Sequence, residues 1–335
     1  MTFKIGIARE LLGPAGEPLF GKKVLDVLNV KGIEWEYLPA AERELSPETA
    51  SRYDGLHINT ARVTRASLAR PDCRVKILAR NGVGYDAVDT TAATERGIIV
   101  TNTPIAVRRP VAVATLTMLL ALAGRLPQKQ AVARGGDWTL NGRFMGLGLL
   151  GRTLGLVGAG GIGQEILRLA KPFFGRMIAA DPYVKRDVVA QLGGELLPIE
   201  RVMAEADFVV VMCLLNETTR GLINAGLLKL MKPTAYLLNM ARGPIVDEGA
   251  LIEALQARRI AGAALDVFEQ EPTPASNPLL AMDNVIATPH SLCWTDECAR
   301  DIATSALGGM VALSQGRRPA HVVNTEVLAK LRLGA

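Results

Sequence analysis

One stretch limits the fold more than any other. Leu154-Gly155-Leu156-Val157-Gly158-Ala159-Gly160-Gly161-Ile162-Gly163 sets a GxGxxG turn directly after an apolar strand and directly before an amphipathic helix. Gly158 permits the tight turn, Gly160 lets backbone approach a pyrophosphate, and Gly163 lets helix and strand touch; Gly161 and Ile162 complete the loop. The next apolar run, residues 177–180, ends in Asp181. A carboxylate there accepts hydrogen bonds from the adenosine ribose hydroxyls and repels a 2′-phosphate, so NAD is expected over NADP. Lys185 and Arg186 follow closely and could reach a phosphate, or simply begin a solvated helix.

Around this stretch the chain repeats a strand-then-helix rhythm, which predicts an α/β fold of parallel sheets wrapped by helices. Residues 4–8, 34–38, 55–58, 75–79 and 98–101 read as strands of a first sheet, with amphipathic segments at 21–29 and 47–53 between them. A long helix is expected over 110–126. Strands over 153–157, 177–180, 207–212, 235–238, 261–265 and 285–287, with helices over 163–174 and 247–257, form a second sheet; a last helix covers 296–313. The 335 residues suffice for roughly two domains. The expected organisation is two doubly wound parallel-sheet domains, a Rossmann NAD-binding domain (104–291) inserted in a flavodoxin-like substrate-binding domain (1–103 and 292–335). Ligands of such folds bind in a cleft, with hinges expected near Thr103-Pro104 and residues 290–294.

Three residues beyond the glycine turn carry chemistry. Arg242 follows the apolar run ending in Asn239-Met240-Ala241, where a planar, permanently charged donor can clamp a carboxylate. His290 follows Thr288-Pro289; the proline ends a strand, so the imidazole is delivered onto a loop where it can move a proton. Glu271, in Phe268-Glu269-Gln270-Glu271-Pro272, can hold that imidazole in its protonated form. Each residue alone is as readily a surface ion-pair member or a loop residue; their co-occurrence downstream of the fingerprint joins them into one site.

Composition narrows the alternatives. The formal charge is +5, but the basic pairs are dispersed and lack interleaved aromatics, which points away from nucleic acid. Four cysteines (Cys73, Cys213, Cys293, Cys298) form no CxxC pair, and three histidines accompany no HExxH, so neither a disulfide framework nor a metal is expected. The apolar run 111–124 falls short of the ~18–20 residues that span a bilayer and reads as a buried helix. With no secretory pattern at the start, a cytoplasmic location is expected.

The chain resembles the D-isomer-specific 2-hydroxyacid dehydrogenases, which include phosphoglycerate dehydrogenases and glyoxylate or hydroxypyruvate reductases. The likeness rests on Asn81-Gly82-Val83-Gly84-Tyr85-Asp86, Val100-Thr101-Asn102-Thr103-Pro104, the glycine turn and Met240-Ala241-Arg242-Gly243. It continues through Ala264-Leu265-Asp266-Val267-Phe268, Glu271-Pro272 and Asn284-Val285-Ile286-Ala287-Thr288-Pro289-His290. The resemblance implies that Arg242 grips the substrate carboxylate and carbonyl oxygen, that His290 is the acid/base and that Glu271 orients it. It implies that the amides around Val83 and Gly84 meet the substrate carboxylate. Asp266 and the Met240-Ala241 backbone would approach the nicotinamide, with Cys213 and Leu214 along the adenosine path. A homodimer through residues 110–126 and around Trp138 is implied as well. The chain departs from the family pattern at Val113, at Met212-Cys213-Leu214, and at Ser291-Leu292 before Cys293 and Trp294. An NAD-sensing, corepressor-like protein on the same fold is the alternative. Neither the substrate side chain nor the roles of Arg80 and Trp294 can be read from the sequence.

Overall fold

The computed structural model describes residues 2–331, 333 and 334. The chain divides into two compact units, Met1–Val107 with Trp294–Ala335, and Arg108–Cys293. Each is an α/β unit built on one parallel sheet.

The first unit contains β1 (Phe3–Ile7), β2 (Ile33–Tyr37), β3 (Gly55–Ile58), β4 (Ile77–Arg80) and β5 (Ile99–Thr101), in the order β2-β1-β3-β4-β5. The interior strands read as continuous apolar runs because helices cover both faces of a parallel sheet. Every residue of β3 is buried, whereas edge strand β2 alternates between half-buried and exposed. Ala303, Leu307 and Met310 of the helix Asp296–Ser314 pack with Phe3, Ile5 and Ile77 in one core cluster. The amphipathic segment over 21–29 forms a 3₁₀ segment, Lys22–Leu28, with Val24 and Leu28 buried.

The second unit contains β6 (Thr153–Val157), β7 (Arg176–Ala180), β8 (Gly194–Leu196), β9 (Phe208–Val211), β10 (Tyr236–Asn239), β11 (Gly262–Leu265) and β12 (Val285–Ala287), ordered β12-β11-β10-β9-β6-β7-β8. Strand direction of winding reverses between β6 and β9, which is the switch point where such sheets take ligands at their carboxyl ends. The expected single helix over 110–126 is two helices, Arg108–Ala123 and Leu126–Gly135, joined through Arg125 at φ 55°. Pro127 explains the break. Its ring excludes a continuous helix by clashing with the carbonyl one turn back, at Ala123, and that carbonyl accepts from the Leu147 amide instead, at 2.8 Å. Among the described residues no single helix is long and apolar enough to cross a membrane.

The same device starts a strand in each unit. Asp54, just before β3, accepts from the Lys4 amide of β1 at 3.0 Å and pairs with Arg74 at 2.6 Å and Lys76 at 3.1 Å. Asp207, just before β9, accepts from the Thr153 amide of β6 at 2.8 Å and pairs with Lys232 at 3.1 Å. In both units a largely buried carboxylate ties the amino ends of the two strands flanking the switch point, so their carboxyl ends leave the sheet side by side.

Candidate active site

Register brings the sequence-derived site residues of the second unit to one end of its sheet. Val157 lies beside Ala180 on one side and Val211 on the other, so the loops carrying Gly158, Asp181 and Met212-Cys213 emerge together. Asn239 pairs with Leu265, and Leu265 with Ala287, so the loops carrying Arg242, Asp266 with Glu271, and His290 emerge together farther along.

At the first group, the glycine turn is a cradle that side chains would fill. Gly158 has φ +103°, and a Cβ there would stand 2.6 Å from the Cys213 amide nitrogen and 2.7 Å from the Met212 carbonyl. A Cβ on Gly163 would stand 2.4 Å from the Gly158 carbonyl oxygen, whereas one on Gly160 would meet nothing within 4 Å. Two glycines are thus required by the protein's own packing and one leaves backbone open toward a ligand. The helix Gly161–Ala170 begins here, with Ile162 and Gly163 in its first turn, earlier than residue 163. Its first amides have no carbonyl one turn before them to bond, which suits an anion. Asp181 is already engaged: Oδ2 accepts from the Ala159 amide at 2.8 Å, and Oδ1 from the amides of Tyr183 at 2.8 Å and Val184 at 3.0 Å. It fixes the turn as well as presenting a charge beside it. Burial pushes the Cys213 thiol up to about 11, so it stays a neutral thiol near pH 7. Leu214 beside it is exposed. This turn fits the pyrophosphate and ribose of a dinucleotide.

At the second group, Nδ1 of His290 and Oε2 of Glu271 lie 2.7 Å apart. Glu271 Oε1 accepts from the Phe268 amide at 3.0 Å, which holds the carboxylate plane between loop and imidazole. Burial opposes charge on Glu271. The hydrogen bond and charge of His290, then the Phe268 amide and the Arg242 charge, outweigh it and hold the carboxyl below the ordinary glutamate range. Near pH 7 it is a carboxylate, so Nδ1 donates and Nε2 is left to exchange a proton. The imidazole and carboxylate side chains are 40% and 36% exposed, open enough for a substrate to reach them.

Arg242 owes its place to Asn239 and Gly243. Asn239 donates to the Arg242 carbonyl at 2.9 Å and accepts from the Ala241 amide at 3.1 Å, shaping the turn. A Cβ on Gly243 would fall 1.8 Å from the Phe268 carbonyl, so only glycine lets the Arg242 turn lie against the loop that carries Glu271. Met240 is buried in the core, and Ala241 packs on the cluster across the sheet, which leaves their backbone rather than their side chains for a ligand.

Two features of this edge were not legible beforehand. The first is what Asp266 does. Its Oδ1 accepts from the Thr288 hydroxyl at 2.6 Å and from the Ser291 amide at 3.1 Å, and both carboxylate oxygens lie 3.3 Å from the Leu292 amide. It thus ties down the chain on both sides of His290. The second is that His290 itself adopts φ 55°, a left-handed conformation uncommon for a side-chain-bearing residue. Nothing in local spacing announces either feature; Thr288 before Pro289 was the only available hint. Val83 and Gly84 belong to the other compact unit, on the loop after β4, where the Val83 carbonyl accepts from Asn102 at 2.8 Å and the Gly82 amide donates to Thr103 at 3.0 Å.

Residues 116–291 match the family described as D-isomer specific 2-hydroxyacid dehydrogenase, NAD binding domain. Over 274 residues, 82% of the chain, it is 40% identical to a D-3-phosphoglycerate dehydrogenase of Methanocaldococcus jannaschii, of which it spans 52%, about half the length. It is 38% identical to a glyoxylate reductase of Thermococcus onnurineus, with 88% of this chain and 90% of the relative covered. An NADPH-dependent glyoxylate/hydroxypyruvate reductase from Sinorhizobium meliloti, solved in complex with NADP and malonate, superposes with a TM-score of 0.83 at 29% identity, covering 100% of both chains.

The Asp266 clamp has a measurable consequence. Asp266→Ala leaves Thr288, Ser291 and Leu292 without their acceptor and is expected to lower the unfolding free energy by about 1–3 kcal/mol. It should also speed amide exchange in the peptide covering residues 288–292; exchange at the wild-type rate would contradict the clamp.

Proposed function

We propose that the chain, which belongs to the D-isomer specific 2-hydroxyacid dehydrogenase family, is an NAD-dependent oxidoreductase that interconverts a small 2-oxo acid and its D-2-hydroxy acid. The observation that carries this reading is the 2.7 Å contact between His290 Nδ1 and Glu271, under the influence of the Arg242 charge and on the same sheet edge as the glycine turn.

A bound nicotinamide supplies the hydride in reduction and accepts it in oxidation. The chain supplies the rest. Arg242 holds the substrate carboxylate through a fork of donors and steadies the negative charge that grows on the carbonyl oxygen. His290 Nε2 gives its proton to that oxygen during reduction and removes it from the hydroxyl during oxidation. Glu271 keeps Nδ1 protonated and so fixes which nitrogen faces the substrate. Amides of the turn 158–163 hold the pyrophosphate, Cys213 and Leu214 border the adenosine end, and Met240, Ala241 and Asp266 border the nicotinamide end.

Asp181 supports NAD over NADP: a 2′-phosphate would face a carboxylate whose neighbours are backbone amides already spent on it. The similar Sinorhizobium meliloti reductase was solved with NADP, so cofactor preference is a property to be measured chain by chain. A homodimer completes the proposal. Val113, Leu120, Leu126, Trp138 and Met145 of the second unit are exposed apolar side chains that a partner copy would cover.

Substituting His290→Gln is expected to cut 2-oxo acid reduction by about two to four orders of magnitude while NADH binding stays near wild type. Turnover at the wild-type rate would remove His290 from proton transfer. Glu271→Gln replaces the carboxylate that lies 2.7 Å from His290 Nδ1 with a neutral amide; the reductive pH–rate profile should move toward lower pH than in the wild type. An unmoved profile would contradict that role.

A further inference from the structure

Neither backbone conformation nor backbone crowding explains two glycines of the turn: Gly160, where a Cβ would meet nothing within 4 Å, and Gly161, where it would meet a side chain. Gly158 is left-handed and Gly163 is pressed against a carbonyl, but Gly161 is an ordinary first helical residue. The three nearest atoms to a Cβ built on it all belong to one guanidinium: Arg108 Nε and Nη2 at 3.1 Å and Cζ at 3.3 Å. Arg108 begins the helix Arg108–Ala123, which packs alongside the helix Gly161–Ala170 in the second unit. Gly161 lacks a side chain where Arg108 fills the space.

The neighbouring arginines have an evident purpose. Arg109 pairs with Glu165 at 2.9 Å, and Arg168 pairs with the other oxygen of the same carboxylate, whose side chain is 6% exposed. Arg108 is directed the other way, toward the amino end of the helix. Its Nε is buried and makes no hydrogen bond among the described residues. A buried donor on a charged group is costly to leave unmet. Here it stands beside helix amides that also lack acceptors and carry the positive end of the helix dipole, so cation and amides repel one another until an anion joins them.

We propose that Arg108 is a cationic contact for the pyrophosphate of the dinucleotide, with its guanidinium over Gly161 and the amides of the glycine turn beneath. The proposal rests on the reading that this turn binds a dinucleotide. A guanidinium presents a planar fork that matches phosphate oxygens, and charge-assisted hydrogen bonds of this kind are about twice as strong as neutral ones. Because the pyrophosphate is common to NAD and NADP, Arg108 raises affinity for both and does not select between them. Gly161 and Arg108 therefore form one functional pair.

Direct binding to the full chain tests this, with NADH followed by fluorescence and with ADP-ribose and adenosine by calorimetry. Arg108→Gln should weaken NADH and ADP-ribose by on the order of tenfold or more. Adenosine, which lacks the pyrophosphate, should bind as to the wild type. Arg108→Lys should fall between, since it keeps the charge but loses the fork. Gly161→Ala pushes the guanidinium aside and should weaken the same two ligands, and combining it with Arg108→Gln should cost less than the sum of the two changes. Unchanged NADH and ADP-ribose affinity in Arg108→Gln would overturn the proposal, as would an equal loss for adenosine; should that variant fail to fold, unchanged affinity in Arg108→Lys and Gly161→Ala would overturn it. A wild-type chain that binds no dinucleotide would overturn the cofactor reading itself, a result distinct from an unaffected variant.

Discussion

The active edge depends on a carboxylate that takes no part in the proposed proton transfer. Asp266, at the end of β11, accepts from Thr288 before His290 and from Ser291 and Leu292 after it. Between those anchors His290 is left-handed. That conformation costs about 1–2 kcal/mol for a residue with a Cβ. Hydrogen bonds to a charged group, worth about 1.5–3 kcal/mol each, are enough to hold it. The imidazole is thereby presented to Glu271 by the backbone rather than by a chance rotamer, and the 2.7 Å contact follows. Gly243 supplies the complementary constraint, since the close passage of its backbone past Phe268 sets Arg242 against the Glu271 loop.

A second consequence of the parallel sheet is a division of labour along one edge. The strands flanking the switch point carry the glycine turn and Cys213, while Asp181 emerges from their neighbour β7. β10, β11 and β12, farther along, carry Arg242, Glu271 and His290. The proposed nucleotide recognition and the proposed acid/base chemistry are thus spaced by strand order, and Asp207 joins β6 to β9 from the opposite end. The Arg108–Gly161 pair extends the nucleotide side onto the neighbouring helix.

Most of this was legible in the sequence because hydrophobic runs and turn residues are local signals. β3, β6 and β12 lie where the apolar runs place them, and the helix Glu248–Gln256 is capped by Asp247 as its sequence suggests. What escaped was either short or non-local. β8 has three residues, of which only Leu196 is a large apolar one, too little for a periodic signal. The break at Gly124-Arg125 could have been inferred from Pro127, but the continuous apolar run masked it. The Asp266 clamp joins residues more than twenty positions apart, and the contact of Arg108 with Gly161 more than fifty; neither leaves a pattern in a window of the chain. Family resemblance pointed to Asp266, and the glycine fingerprint to Gly161, as residues near a cofactor without revealing what holds His290 or why a glycine stands at 161.

The central claim is a reaction, and it is tested most directly by initial rates of NADH and NADPH oxidation with glyoxylate, hydroxypyruvate, pyruvate, branched 2-oxo acids and oxaloacetate, with the chirality of any chiral product determined. The account predicts that at least one of these acids is reduced, faster with NADH than with NADPH, and that a chiral product is the D-2-hydroxy acid. Oxidation of neither cofactor by any 2-oxo acid, or formation of the L-enantiomer, would contradict it.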